Sequence, residues 1–423
     1  MKFNDNKKGA MRFLFYIIAV VTIISCIGGS KSGINSNDFA QVEMSDTLTI
    51  PKGAVPIFYW GHIYISCEVD SISGNFVFDT GADGLYLDST YYASNPFRKI
   101  EPVVRASLLG VGSSGPQRVI VITDTVCFKF ENYSNNITFI PVFLLKPILG
   151  DFADGIIGKK YFEGNVLEIN YIHKYIRLDK DFSVIDTSGY MKINMKKENN
   201  RLFVPISIRI NDTVTIQDYS LLDIGLGGSI LITSHTADKY KLSDKIIEKI
   251  PYYTKYGGVS GSSYSYDFRA YLIEIGNFQI DSVTMSYSED KSGSLSHSSH
   301  VGLLGNEILE RFDVIIDFKN NDLYLKPNAD YNKPFNFSKL GFGYVDRSTT
   351  MNAWIVTGLY RGSNAEIAGL EIDDKIISVN GIDIHKILFT ERSGFWKKID
   401  RVSLIVLRDG EEKRLEFDLE YVL

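Results

Sequence analysis

The sequence has little that would support metal, nucleotide or nucleic-acid chemistry. Only three cysteines are present, Cys26, Cys67 and Cys127, and no Cys-x-x-Cys pair occurs. The six histidines, His62, His173, His235, His297, His300 and His385, lack metal-ligand spacing, so each reads as a structural or exposed side chain. No Gly-x-x-x-x-Gly-Lys loop is there to cradle phosphates. No Gly-x-Ser-x-Gly elbow stands near a plausible histidine and acid, and Gly112-Ser113-Ser114-Gly115 has the wrong spacing. Lys and Arg form no run, and a net charge of −6 argues against a nucleic-acid face. Long helical periodicity is scarce; the best candidates are short, residues 233–242 and 364–368. The apolar run at residues 13–24 falls short of the roughly 20 residues that a bilayer span needs.

Aromatic residues are plentiful, at 13% of the chain, and glycine is frequent, a mix that suits sheets and turns. At 423 residues, two or three domains are expected. Segments such as Ile63-Tyr64-Ile65-Ser66-Cys67-Glu68-Val69 are short, rich in β-branched and aromatic residues, and bounded by turn formers, which predicts strands. Cys67 and Cys127 both lie in such surroundings, either as a pair in an oxidising compartment or as separate buried thiols. The N-terminus reads as a targeting segment. Lys2, Lys7, Lys8 and Arg12 precede the apolar run, which ends in Ile23-Ile24-Ser25-Cys26. That ending resembles the lipobox of bacterial lipoproteins. The resemblance implies a signal peptide over residues 1–25, lipidation of Cys26 and a flexible tether over 26–44. The alternatives are an ordinary signal peptide carrying a cysteine, or an uncleaved anchor. With no acidic cluster after Cys26, a periplasm-facing, membrane-anchored protein of the bacterial envelope is expected.

The chain repeats itself. Val55-Pro56-Ile57 is echoed by Val204-Pro205-Ile206, and Phe76-Val77-Phe78-Asp79-Thr80-Gly81 by Ser220-Leu221-Leu222-Asp223-Ile224-Gly225. A Gly/Ser-rich turn at residues 110–115 has its counterpart at 257–263, and Gly155-Ile156-Ile157-Gly158 returns as Gly302-Leu303-Leu304-Gly305. The aspartates lie 144 positions apart and the last glycine motifs 147, a near-constant offset that indicates one duplicated unit. Each copy is predicted to close with a strand pair, residues 166–170 with 175–178 and 312–317 with 322–325. The polar stretch 179–201 reads as the link between copies, and 326–339 as the separator from the rest of the chain.

An apolar run entering an Asp-Thr-Gly turn delivers one carboxylate into an apolar setting. Two such turns packed by a pseudo-two-fold relation bring two carboxylates side by side. Close like charges share a proton, leaving one group as a base that activates water and the other as an acid. Here the chain, over residues 45–327, resembles the aspartic-peptidase superfamily of pepsin- and retropepsin-like proteins. Asp79-Thr80-Gly81-Ala82-Asp83 is similar to the retropepsin form of the motif. The resemblance implies a mainly β, two-lobed fold with lobes at 45–180 and 190–327, and peptide hydrolysis without metal or cofactor. It makes Asp79 and Asp223 catalytic, with Thr80, Gly81 and Gly225 supporting them. Asp83 would hold substrate backbone, and Gly110, Gly112, Gly258 and Ser260 would belong to flaps that close over a peptide. The second copy departs from the family pattern at Ile224, which lacks the hydroxyl that stiffens the aspartate pair. Two readings follow: a working endopeptidase, or a peptide-binding envelope protein without turnover. Two copies in one chain make a monomer the expected state.

Residues 335–423 change character. A Leu340-Gly341-Phe342-Gly343 loop leads into a strand, Trp354-Ile355-Val356-Thr357 forms another, residues 362–370 read as a short capped helix ending at Gly369, and Asn380-Gly381 forms a turn. This order is similar to a PDZ domain. The resemblance implies that a C-terminal peptide adds as a strand, its carboxylate cradled by Leu340, Gly341, Phe342 and Gly343. Peptides or unfolded proteins are the implied substrates. Asp373 stands where that family usually has glycine.

Overall fold

The computed structural model describes residues 14–16, 50–95, 104–131 and 133–423; Cys26, the tether and most of the expected signal peptide lie outside the described residues. Leu14–Tyr16, inside the apolar run, is a short strand parallel to Ser107, Leu108 and Leu109. The protein is mainly β, with short helices. Among the described residues, no helix is long and apolar enough to cross a membrane.

The two copies use the same local device. His62–Val69 and Ile72–Asp79 form a hairpin whose two-residue turn, Asp70 and Ser71, takes positive φ at both positions, as the twist of paired strands requires. Ile72–Asp79 then runs parallel to Gly155–Gly158, which pairs antiparallel with Leu85–Asp88 on its other side. In the second copy Val214–Leu222 runs parallel to Gly302–Leu304, which pairs antiparallel with Ile230–Ile232. The repeated glycines admit close neighbours. A Cβ on Gly158 would lie 2.4 Å from the Ala82 carbonyl oxygen, and one on Gly305 2.3 Å from that of Gly228.

A six-stranded sheet joins the copies, in the order Met191–Asn194, Asp322–Pro327, Phe312–Asp317, Val166–Asn170, Tyr175–Asp179, Ala54–Pro56. Each copy supplies three strands, and the central pair meets at Ile169 and Val314. This arrangement corrects two expectations. The counterpart of Ala54–Pro56 is Met191–Asn194, not the Val204-Pro205-Ile206 stretch, which lies inside the long strand Arg201–Asn211 of another sheet. Residues 179–201 are therefore not merely a link, because part of them closes the edge of the shared sheet. Likewise 326–339 is anchored: Arg311 donates to the carbonyls of Asp330 and Lys333, and Phe335 is buried in the main core.

Residues 342–418 extend the second copy's sheet. Tyr252 and Thr254 pair antiparallel with Tyr360 and Gly358. A separate apolar cluster ties this C-terminal part to the first copy, where Phe389 stacks on Phe152 with ring centroids 4.1 Å apart. Asp373 adopts φ +73, the left-handed region that favours glycine. Its carboxylate takes Lys255 Nζ at 2.7 Å, so the departure from glycine supplies an ion pair to the second copy's hairpin. The helix Ser234–Tyr240 is capped by Thr233, and Asn364–Ile367 by Ser363, near the predicted limits. Cys67 is buried and Cys127 exposed, and both are free thiols.

Candidate two-aspartate site

Asp79 ends its strand and Asp223 follows Leu222, so each leaves a sheet at the same point of the repeated unit. Packing of the copies brings them together with almost no exposure, 1% for Asp79 and 0% for Asp223. Asp79 Oδ1 accepts from the N–H of Gly81 at 2.7 Å and of Ala82 at 3.0 Å. Asp223 Oδ1 accepts from Gly225 N–H at 3.0 Å. A Cβ on Gly225 would lie 2.4 Å from Asp79 Cγ, so only glycine lets the second loop approach the first carboxylate.

The two carboxyl groups lie close enough that each shifts the other's ionisation. Asp223 Oδ2 is buried without a hydrogen-bond partner among the described residues. Two ionised carboxylates side by side repel and contain no donor, so burial of the pair favours a proton on one of them. Burial pushes Asp79 up to about 6, while Asp223, the N–H groups of Ala82 and Gly81, and the charge of Lys159 draw it down. Asp223 is raised well above the ordinary carboxylate range by burial, then by the charge of Asp79. Asp79 accepts two backbone N–H bonds and Asp223 one, which favours ionisation of Asp79 first.

Thr80 supplies the cross-link expected of it. Its Oγ1 donates to the Leu222 carbonyl at 2.8 Å and accepts from Ile224 N–H at 3.0 Å. Ile224 is fully buried and returns no such bond, so the cross-link is one-sided. The loops also differ behind the aspartates. Asp83 pairs with Lys159 Nζ at 2.5 Å, the lysine being 2% exposed and the carboxylate 38%. In the second copy Gly227 stands in the place of Asp83 and Asn306 in that of Lys159. Asn306 Nδ2 donates to the carbonyls of Gly61 and Ile224. Sequence reasoning missed Lys159, although its place directly after the Gly155–Gly158 motif was the available signal.

The Gly/Ser turns are hairpin tips, between Val104–Leu109 and Gln117–Ile122 and between Lys249–Gly258 and Gly261–Ile275. They clasp each other. Ser260 N–H donates to the Val111 carbonyl at 2.8 Å, Ser114 N–H to the Ser260 carbonyl at 2.7 Å, and Gly110 N–H to Ser260 Oγ at 2.9 Å. Gly112, at φ +112, lies so close that a Cβ would sit 2.5 Å from Ser260 C. Gly258 faces Gly261 across the narrow end of the second tip. Val111 belongs to a small cluster that includes Leu226, and Val259 to the larger one that includes Ala82.

The C-terminal loop is built on buried side chains. Leu340 and Phe342 are buried, and the Gly341 carbonyl accepts from Tyr360 N–H and Ser363 Oγ. Phe342–Arg347 pairs with Ala353–Tyr360 on one edge. Near its far end, the Asp346 carbonyl accepts Asp151 N–H at 2.9 Å, and Asp151 Oδ1 holds Arg347 Nε at 2.9 Å. A segment of the first copy therefore already engages this strand.

No protein-family model matches the chain, and no curated protein matches it. What the site can do rests on its geometry. A buried carboxyl pair that shares one proton offers a base and an acid within reach of one water and one polar bond.

Proposed function

We propose that the chain is an aspartic-type endopeptidase of the two-lobed pepsin/retropepsin-like kind, acting on peptides or unfolded proteins. The observation that carries this reading is the buried, mutually perturbed pair of Asp79 and Asp223, delivered by equivalent turns of a duplicated unit. Ionised Asp79 takes a proton from water while the oxygen attacks the peptide carbonyl carbon. Protonated Asp223 gives its proton to the carbonyl oxygen. On collapse, that oxygen's proton returns to Asp223, the C–N bond breaks, and the proton held by Asp79 leaves with the amine. The clasped hairpins act as flaps, and they must part for a peptide to enter.

In this reading residues 335–423 form a PDZ domain that presents substrate or regulates access, and Cys26 anchors the protein to the bacterial envelope. Segment 145–153 then competes with a peptide for the strand Phe342–Arg347, because the Asp346 carbonyl is already taken. A second reading, a peptide-binding protein without turnover, is favoured by the one-sided cross-link at Ile224.

Incubation with a diverse peptide pool from pH 3 to 8, beside an Asp79→Asn, Asp223→Asn double variant, separates the two. The peptidase predicts cuts that vanish in the variant, and a rate that rises as Asp79 ionises through pH about 6. Peptide binding without any cut, both proteins being folded, establishes the second reading.

A further inference from the structure

A cavity of about 260 Å³ opens behind the second aspartate loop, its floor formed by residues 226–231. This is close to the ~300 Å³ lower end of small-ligand sites. Its wall carries Asp267, Glu307, Glu310 and His62, with aromatic surface from Trp60 and Phe337. Asp267 is held by Ser286 Oγ at 2.6 Å and Tyr360 OH at 2.7 Å, and Glu310 by Tyr59 OH at 2.5 Å. These are neutral donors, and they orient the carboxylates without neutralising them.

Two groups on the wall are unsatisfied. The Glu307 carboxylate has no hydrogen-bond donor among the described residues. His62 is only 8% exposed, and its Nδ1 has no partner. Burial holds His62 down to about 4, so at neutral pH it is uncharged. The nearest cations are committed elsewhere. Arg311 donates to the carbonyls of Glu307, Asp330 and Lys333, and Arg269 to those of Ser282 and Phe335. The wall is therefore acidic and partly aromatic. Among the described residues no three acids, histidines or cysteines converge as metal ligands, so the charge is spread along the wall rather than focused on a point. An elongated organic cation matches that distribution, its apolar stem against the aromatic rings.

We propose that this cavity binds a primary alkylammonium group, with Glu307 as its charge partner. The group is either a lysine side chain of a bound peptide or a free amine. The site does not depend on turnover at Asp79 and Asp223. Its occupant would lie against residues 226–228, which follow the Asp223 turn.

Glu307 is pushed up to about 8 by burial and by Glu310 and Asp267, against the opposing charges of Arg311 and Arg269. Cation binding then displaces a proton. Between pH 7 and 9 an amine stays charged while Glu307 ionises, so affinity should rise about tenfold over that interval. The measurement is calorimetric titration of the full chain at pH 7 and 9 with n-pentylamine, and with a peptide pair differing only as lysine or norleucine. The wild type, Glu307→Gln and the Asp79→Asn, Asp223→Asn variant are compared. Expected are binding of the lysine peptide, the amine or both, about tenfold or greater weakening in Glu307→Gln, and unchanged affinity in the dyad variant. Binding of both ligands assigns a general amine site, and binding of the peptide alone assigns a substrate lysine. Should Glu307→Gln not fold, Asp267→Asn serves in its place. The proposal is overturned by no binding of either ligand, by binding that the wall variant leaves unchanged, or by equal affinity for the norleucine peptide.

Discussion

Replacing Asp79 with asparagine should inactivate the protein and at the same time stabilise it, by an amount set by pH. Asp79 ionises at about 6 in the folded protein against 3.8 in an unstructured chain. The corresponding linkage term is ~3 kcal/mol. The folded state binds the proton more tightly, so this contribution to stability is fully present below pH 3.8 and is lost as pH rises through about 6. Above that, the wild type carries a buried charge that the unfolded chain would hydrate. An asparagine at the same place has no charge at any pH. Its Oδ1 can keep the bonds from Gly81 and Ala82, and its amide offers Asp223 a donor. Urea unfolding at pH 7.5 should therefore show Asp79→Asn more stable than the wild type by up to ~3 kcal/mol, with the gap closing by pH 4. In thermal unfolding the gap at pH 7.5 corresponds to a shift on the order of 5 °C. Equal stability at pH 7.5, or a gap that persists undiminished at pH 4, would refute the assignment of Asp79 as a buried, proton-sharing carboxyl.

Two further outcomes are specific to this chain. Ile224→Thr should restore the missing half of the cross-link and raise turnover, by up to about 100-fold where its absence misplaces the carboxylates by near 1 Å. Turnover that falls or stays level in a folded variant would show that the one-sided link already positions the pair. Gly112→Ala should break the clasp, because its Cβ has no room against Ser260 and the position lies at positive φ. Faster amide hydrogen exchange at Ser114 and Ser260 is the expected readout, and unchanged protection would mean that the tips tolerate separation without opening.

Much of the architecture was legible because it is written locally. The strand pairs at 166–170 with 175–178 and 312–317 with 322–325 carry their own alternation and turn signals, and they appear within a residue or two of the predicted limits. The Thr233 and Ser363 caps are local hydrogen bonds to the following turn, so the short helices were legible too. Where the reading failed, the deciding contact was distant. Val204-Pro205-Ile206 repeats the letters of Val55-Pro56-Ile57, yet which sheet a strand joins depends on its partner. Met191–Asn194, with no matching letters, pairs with Asp322–Pro327 and takes the equivalent edge.

The sequence by itself determined that one unit occurs twice, that each copy presents an aspartate at the end of an apolar strand, and that a glycine motif follows each. Those are short-range properties, set by side-chain alternation and by turns that only certain residues permit. Tertiary structure decided that the two aspartates meet out of solvent, where burial raises the pKa of both. It also decided that Lys159 biases the pair by standing behind Asp83, and that Gly112 and Ser260 lock the hairpin tips. Each of these joins residues 76 or more positions apart, at distances where an ångström changes a hydrogen bond or a charge interaction. No periodicity or composition of the chain encodes that separation, because it is fixed by how the sheets of the two copies pack.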